Sequence, residues 1–376
     1  MTDFLAEVTA LARDLVAIDS RSFVSNLAVA TRIEAALDGF EIERLDYTDQ
    51  AGVAKRCLVA HRGGSGGIAF SGHMDTVPNT GWIENPWSAR IDGDTLTGLG
   101  STDMKGPVAA IIAAARALPE WMPVTLLITT DEETTKQGAR LIAERSELVR
   151  RVQPRGIVVA EPTSMIPVRG HRSHIAFTAV ATGVQAHSST GQGHNANWDL
   201  IPFLVEMKAV FARLRSDPAL QDADYDPPFS DFNLILDNHG AAMNVTVPKA
   251  TAQIKFRYSA KVDPAPVLEA VQSAANRHGI TLSEAREGSP PELPANHPLI
   301  ALAEQITGCA PRTAPYGTDA SELQVIAPCV VLGPGSITVA HKPNESVSLR
   351  ELADAVPVFM GLAEQLAGND AAQRIE

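Results

Sequence analysis

The residues of this chain whose types and spacing could do chemistry are acids and histidines that follow apolar runs. Asp131-Glu132-Glu133 comes just after the run Val124–Ile128. Adjacent carboxylates at the end of a buried strand repel one another and are costly to desolvate. Something positive must stand among them, or they face open water. If a metal stands there, one glutamate can bind it while its neighbour handles protons.

Other donors share that placement. His73-Met74-Asp75 closes the apolar strand that begins Gly67-Ile-Ala-Phe70. Residues two apart on a strand face the same way, so His73 could ligate a metal while Asp75 orients its ring. Gly98-Leu-Gly-Ser-Thr-Asp103-Met-Lys-Gly106 follows a strand and opens a helix. Its spacing is that of a dinucleotide fingerprint, but Asp103 stands where the third glycine belongs and would oppose pyrophosphate. Glu161 follows the strand Gly156–Ala160, and His341 lies in the loop after Cys329–Leu332. Each has a plain alternative: a strand-end histidine beside a solvated aspartate, a helix N-cap at Asp103, a surface glutamate before Pro162, a polar loop histidine. Taken together they suit two metals. With Asp103 bridging, His73 and Glu161 would serve one ion, and Glu133 and His341 the other. Each ion then has three protein ligands and an open position for a shared water. A pair of ions about 3.5–4 Å apart lowers the pKa of such a water towards roughly 7 and can clamp a carbonyl oxygen. Glu132 is left over, able to take the water's proton and pass it to a leaving amine.

The elements that must position these residues alternate. Amphipathic helices are predicted over 3–18 and 24–38, and strands near 40–47, 53–61 and 67–73. The turn Arg62-Gly-Gly-Ser-Gly-Gly67 reads as a hairpin connection between the last two. A strand near 90–97, an Ala-rich helix over 105–118, strand 123–130, helix 136–150 and strand 156–160 follow. Alternating strands and helices imply an α/β fold with a largely parallel, buried sheet sandwiched by helices. From 174 the order becomes β-α-β-β-α-β, the ferredoxin-like unit. The α/β pattern resumes after Ser289-Pro-Pro-Glu-Leu-Pro294. The expected organisation is therefore a discontinuous catalytic domain, residues 1–173 and 286–376, with an inserted α+β domain over 174–285. A polar tail, Gly368–Glu376, is expected to be dispensable.

Bulk properties narrow the function classes. At 376 residues and 45% hydrophobic composition the chain is an ordinary globular protein. A net charge of −13 argues against nucleic acid or an anionic membrane surface as partner. Cys57, Cys309 and Cys329 are few, odd in number and widely spaced, which suits a reducing cytoplasm. The stretch Met1-Thr-Asp-Phe-Leu-Ala-Glu has no basic n-region or long apolar h-region, so no signal peptide is read.

The set of motifs resembles the co-catalytic di-zinc aminoacylase and desuccinylase superfamily of metallopeptidases over nearly the whole chain. The motifs are Ser71-Gly-His-Met-Asp-Thr-Val-Pro78, Gly98 to Gly106, Asp131-Glu-Glu133, Glu161-Pro-Thr-Ser164 and Ala340-His-Lys-Pro-Asn-Glu345. The acetylornithine deacetylase branch is nearest, on Glu161-Pro-Thr-Ser164, Pro167-Val-Arg-Gly-His171 and Gly333-Pro-Gly-Ser-Ile337. The resemblance implies a zinc exopeptidase-like catalytic domain with two zinc ions, cobalt or manganese being possible substitutes. It implies His73, Asp103, Glu133, Glu161 and His341 as ligands, Asp75 as the supporting acid and Glu132 as general base. It further implies a cytoplasmic homodimer joined through the inserted domain, which also acts as a lid. His187, in Gly183-Val-Gln-Ala-His187, would reach the partner's active site and polarise the scissile carbonyl. Asn244 would contact substrate, Arg257 would bind its carboxylate through a bidentate fork, and Gly317 and Thr318 would hold its backbone. The implied reaction is removal of a small acyl group, acetyl first among them, from the α-amino group of an amino acid, as in arginine biosynthesis. Gly317-Thr-Asp-Ala320 and Lys255-Phe-Arg257 depart from the acetylornithine branch. Desuccinylase, dipeptidase and carboxypeptidase activities are therefore the alternatives, beside a metal-free binding protein on the same fold.

Overall fold

A computed structural model describes residues 3–373. Helices α1 (Leu5–Val16) and α2 (Leu27–Glu34) precede strands β1 (Glu41–Thr48), β2 (Ala54–Arg62) and β3 (Ile68–His73). The hairpin β4 (Arg90–Asp92) and β5 (Thr95–Thr97) leads to α3 (Lys105–Ala117) and β6 (Val124–Thr129). Helices α4 (Gln137–Arg145) and α5 (Glu147–Val152) then lead to β7 (Gly156–Val159) and β8 (Val168–His171). Next come β9 (Ser173–Thr182), α6 (Asn197–Ser216), β10 (Asp231–Asp237), β11 (Lys249–Tyr258), α7 (Ala265–Arg277) and β12 (Thr281–Arg286). The chain closes with α8 (Pro298–Thr307), β13 (Arg312–Ala314), α9 (Ala320–Leu323), β14 (Cys329–Val331), β15 (Ser346–Ser348) and α10 (Leu349–Gln373). Of the expected polar tail, 368–373 are helical backbone in α10, and residues 374–376 lie outside the described residues.

The chain divides into two compact units. One comprises Met1–Gly170, Pro291–Arg312 and Thr318–Glu376, the other His171–Pro290 and Thr313–Gly317. The insertion read from the sequence ran over 174–285. The second unit takes in a little more on each side and the short stretch 313–317, where Thr313 Oγ1 donates to the Asp224 carbonyl at 2.5 Å.

The main sheet has the order β1-β2-β6-β3-β7-β14-β8-β13. Its centre, β6-β3-β7-β14, is parallel. Those strands are buried throughout, as parallel strands covered on both faces must be. α3 is equally buried along its Lys105–Ala115 stretch, packed by α1, α10 and β3, and its alanines allow that close approach. Phe70 of β3 meets Phe359 of α10 edge-on, with ring centroids 5.4 Å apart.

The turn 62–67 is not a hairpin connection. β6 lies between β2 and β3, antiparallel to the first and parallel to the second. The glycines serve that arrangement. Gly63 and Gly67 both have positive φ, +85° and +71°, and the start of β6 presses on them. A Cβ at Gly67 would fall 2.0 Å from the Pro123 carbonyl oxygen, so only glycine fits. The helix expected over 136–150 is two helices, because Ser146 leaves helical conformation and caps α5 by accepting from Val149 N–H.

In the second unit, β10-β11-β9-β12 form an antiparallel sheet. β9 alternates strictly, burying Ile175, Phe177, Ala179 and Ala181 on one face. α6 packs on β9 and β11, and α7 on β12 and α6, around Phe203, Phe256 and Val271.

Candidate metal centre

β3, β6 and β7 run in parallel, so their carboxyl ends open on one edge of the sheet, where open α/β sheets build sites. His73 is the last residue of β3, and Asp131-Glu132-Glu133 follow β6 after Thr130. Glu161 lies just past β7, Asp103 sits in the turn before α3, and His341 is in the loop between β14 and β15. All of these belong to the first unit.

Asp103 divides the cluster. Its Oδ1 is 3.1 Å from His73 Nε2, and its Oδ2 is 3.1 Å from His341 Nε2. On the first side Glu161 Oε1 lies 3.8 Å from His73 Nε2. On the other, Glu133 Oε1 lies 2.9 Å from His341 Nε2. Glu132 faces the same space: one oxygen of it, a His73 nitrogen and a Glu161 oxygen lie within 4.8 Å of one another. Lys136 Nζ stands 3.7 Å from Glu132 Oε1.

The electrostatics are those of an acid-rich set. Burial and the neighbouring Asp103 push the Glu133 carboxyl up to about 8, and the same causes raise Glu161 well above its usual value. Hydrogen bonds to Asp103 and Glu133 push His341 up to about 11. Burial works against charge on Asp103, but the two histidines outweigh it and hold that carboxyl below the ordinary range. Two imidazoles and three carboxylates of this kind fit a pair of divalent cations. Cations held there would relieve the repulsion among the acids, and the mixed N/O donors suit zinc, cobalt or manganese.

The supporting contacts explain how the loops are held. His73 Nδ1 faces the Asp75 carbonyl at 3.0 Å and Asp75 Oδ1 at 3.5 Å. The Asp75 carboxylate also accepts from the backbone N–H groups of Glu132 and Glu133 at 3.2 and 3.3 Å, and from Ser22 Oγ at 2.7 Å. One acid thus ties β3 to the Glu132-Glu133 segment. Asp131, given no role from the sequence, is gripped from behind. Tyr47 donates to its Oδ2 at 2.6 Å, and Lys55 Nζ lies 2.9 Å from its Oδ1. Its φ of +61° places it in the left-handed region. Ser22, Lys55 and Tyr47 carried no sequence signal, since each depends on pairing across distant elements.

The residues expected to bind substrate are distributed differently. Thr318 is buried in the first unit, while His187, Asn244, Arg257 and Gly317 belong to the second. There His187 pairs with Val245 in an isolated bridge, and Ser188 N–H donates to the Asn244 carbonyl at 2.9 Å, so His187 and Asn244 are backbone neighbours. The Nδ1 of His187 meets Ser189 Oγ at 2.8 Å. Arg257 on β11 donates to Asp231 of β10 at 2.7 Å.

Residues 69–365 match the peptidase family M20/M25/M40. The chain belongs to that family. Acetylornithine deacetylase of Yersinia pseudotuberculosis is 33% identical over 310 residues, 76% of this chain and 75% of the relative. The enzyme of the same name from Photorhabdus laumondii is 30% identical over 332 residues, 83% and 82% of the two chains. Among solved structures, a dipeptidase of Saccharomyces cerevisiae superimposes with a TM-score of 0.76 at 13% identity, covering 97% of this chain and 96% of its own. A dinuclear metal binding peptidase of the M20 family from Bacillus subtilis gives 0.63 at 17% identity, covering 96% and 97%. The M20 fold accounts for the two-unit α/β architecture, and membership makes the chain one of the metal-dependent hydrolases. Among the described residues no helix is long and apolar enough to cross a membrane.

Proposed function

We propose that this M20 protein is a divalent-metal amidohydrolase that removes a small acyl group, acetyl first among them, from the α-amino group of an amino acid. The observation that carries the reading is Asp103, with one carboxylate oxygen turned to His73 and the other to His341. The acetylornithine deacetylase relatives support the acyl group and the amino-acid substrate.

His73, Glu161 and Asp103 would hold one cation, and His341, Glu133 and Asp103 the other. When bound, such a pair would supply Lewis acidity to the amide carbonyl and lower the pKa of the attacking water. Glu132 receives the proton that water gives up as its oxygen bonds to the carbonyl carbon. It then delivers that proton to the amide nitrogen as the C–N bond breaks, giving an amine and a carboxylic acid, whose remaining proton passes to the amine to leave carboxylate and ammonium. Asp75 keeps the His73 ring oriented and the Glu132 backbone fixed. The resemblance supports His187 as the donor that stabilises charge on the carbonyl oxygen, Asn244, Gly317 and Thr318 as substrate contacts, and Arg257 as the binder of the substrate carboxylate. Arg257→Ala is expected to raise KM for an acyl amino acid by about 10–100-fold, the loss of a charged hydrogen bond, with a smaller change in kcat.

The deciding experiment is a comparison of N-acetyl-ornithine, N-succinyl-diaminopimelate and simple dipeptides with metal-loaded protein, measuring amine release. Highest kcat/KM on the first is the expected result. A dipeptide turned over fastest would make the protein a dipeptidase or carboxypeptidase, and the succinyl substrate turned over fastest a desuccinylase; Gly317-Thr-Asp-Ala320 is nearer the desuccinylase and carboxypeptidase branches. No turnover of any of them would support a binding protein instead.

The second unit supports a homodimer. β10 is an end strand of its sheet and exposes Leu234, Ile235 and Leu236, while α6 exposes Trp198, Ile201 and Val205. Apolar side chains on an edge strand invite pairing with another chain. Ile235→Glu is expected to halve the mass measured by light scattering while leaving the circular dichroism spectrum unchanged; an unchanged mass would place any interface elsewhere. A cytoplasmic setting rests on the cysteine usage of the sequence, three residues that are widely spaced and odd in number.

A further inference from the structure

Glu345 is a buried acid that the proposed reaction does not use. Its backbone is set by the pairing of β15 with β5, Ser346 opposite Thr97, and by Gly98 N–H donating to the Glu345 carbonyl at 3.0 Å. From there its side chain reaches into the turn that carries Asp103. Glu345 Oε1 accepts from the backbone N–H of Thr102 at 2.8 Å and of Asp103 at 2.9 Å. Those partners are 243 and 242 positions away along the chain. The loop that ends at Glu345 begins its approach at His341, whose Nε2 lies 3.1 Å from Asp103 Oδ2. One carboxylate oxygen therefore joins the two segments that present Asp103 and His341. Among the described residues no cation makes an ion pair within 4 Å of Glu345; the buried Lys105, which feels its charge, donates to the Ile18 carbonyl at 2.7 Å.

We propose that Glu345 is a positioning residue for the metal centre, fixing the bridging Asp103 by accepting from two successive amides, and that it acts through reach and acceptor geometry rather than through its charge. This rests on the reading of Asp103 and His341 as metal ligands. Groups that orient ligands from outside the coordination sphere are worth about 10–100-fold in metal affinity. Glu345 holds the ligand's backbone rather than its side chain, as Asp75 also does for Glu133, so it governs where the Asp103 carboxylate starts from.

Two conservative variants separate reach from charge. Glu345→Asp keeps the charge and draws the carboxylate back by one carbon–carbon bond, about 1.5 Å. Glu345→Gln keeps the reach and an acceptor oxygen and removes the charge. Metal-free protein of each kind is titrated with cobalt(II), following heat of binding and the visible absorption spectrum. Amide hydrogen exchange at Thr102 and Asp103 is measured before cobalt is added. Wild type is expected to take up two cobalt ions and to protect both amides. Glu345→Gln should match it in affinity, spectrum and protection. Glu345→Asp should bind at least one ion about 10–100-fold more weakly, with altered absorption bands and faster exchange at both amides. Wild-type behaviour of Glu345→Asp overturns the proposal, as does weakened binding by Glu345→Gln beside an unaffected Glu345→Asp. Rapid exchange of both amides in the wild type overturns it even if neither variant folds. A wild type that takes up no cobalt overturns the metal reading itself, and that result is seen before any variant is made.

Discussion

Glu132→Gln is expected to lower kcat by about 10²–10⁴-fold, the usual contribution of a positioned general base, while the protein keeps its metal. Glu132 and Glu133 are neighbours in sequence but face different partners. Glu133 Oε1 lies 2.9 Å from His341 Nε2, on the His341 side of Asp103. Glu132 shares the His73 and Glu161 side and has Lys136 Nζ at 3.7 Å. Glutamine is isosteric with glutamate and keeps the backbone N–H that Asp75 accepts, so the loop should hold. What it loses is the ability to carry a proton. The result should be low kcat, KM within a few-fold of wild type and full metal content by elemental analysis. Chelation gives the contrasting pattern: activity lost together with the metal, and restored by zinc or cobalt. If Glu132→Gln lost metal as well, Glu132 would be a ligand and some other group the base. If it kept its activity, the proton would travel by another route.

Much of this arrangement was legible because parallel strands announce themselves. Apolar runs that end at His73, Thr129 and Ala160 mark buried strands, and chemistry in open α/β sheets gathers where such strands end. Period-2 alternation in Ser173–Thr182 likewise marks a strand with one covered face. What could not be read is non-local. The glycine-rich turn 62–67 looked like a hairpin because adjacent strands in sequence are usually adjacent in space. The decisive contact, Gly67 against Pro123, depends on β6 entering from more than fifty residues away. Lys55 stands in a strand with an arginine on its far side and reads as solvent-facing, yet it is buried and bonded to the carbonyls of Ser22 and Val24. Glu345 reads as a polar loop residue next to His341. Its use becomes visible only when the two amides it holds are brought beside it.

Lys55→Met is expected to cost about 3–5 kcal/mol of folding stability, the typical result of removing one partner from a buried ion pair. The Lys55 side chain is fully buried and that of Asp131 nearly so. Methionine fills similar volume, so the loss arises from what remains polar: Asp131 without its cation, and the carbonyls of Ser22 and Val24 without their donor. Tyr47 still donates to Asp131 Oδ2, which limits the damage without removing it. Asp131→Asn should cost less on its own. Asparagine tolerates the positive φ of this position, and the Lys55 ammonium keeps its two carbonyl acceptors. Combining the changes tests the cause. If the stranded charge is responsible, Lys55→Met/Asp131→Asn is more stable than Lys55→Met alone, with a coupling of about 1–3 kcal/mol in urea unfolding. Strictly additive losses would mean instead that Lys55 matters through the segment 22–24. That segment carries Ser22, whose hydroxyl holds Asp75, so the additive outcome should also appear as weakened metal binding in the Lys55→Met protein.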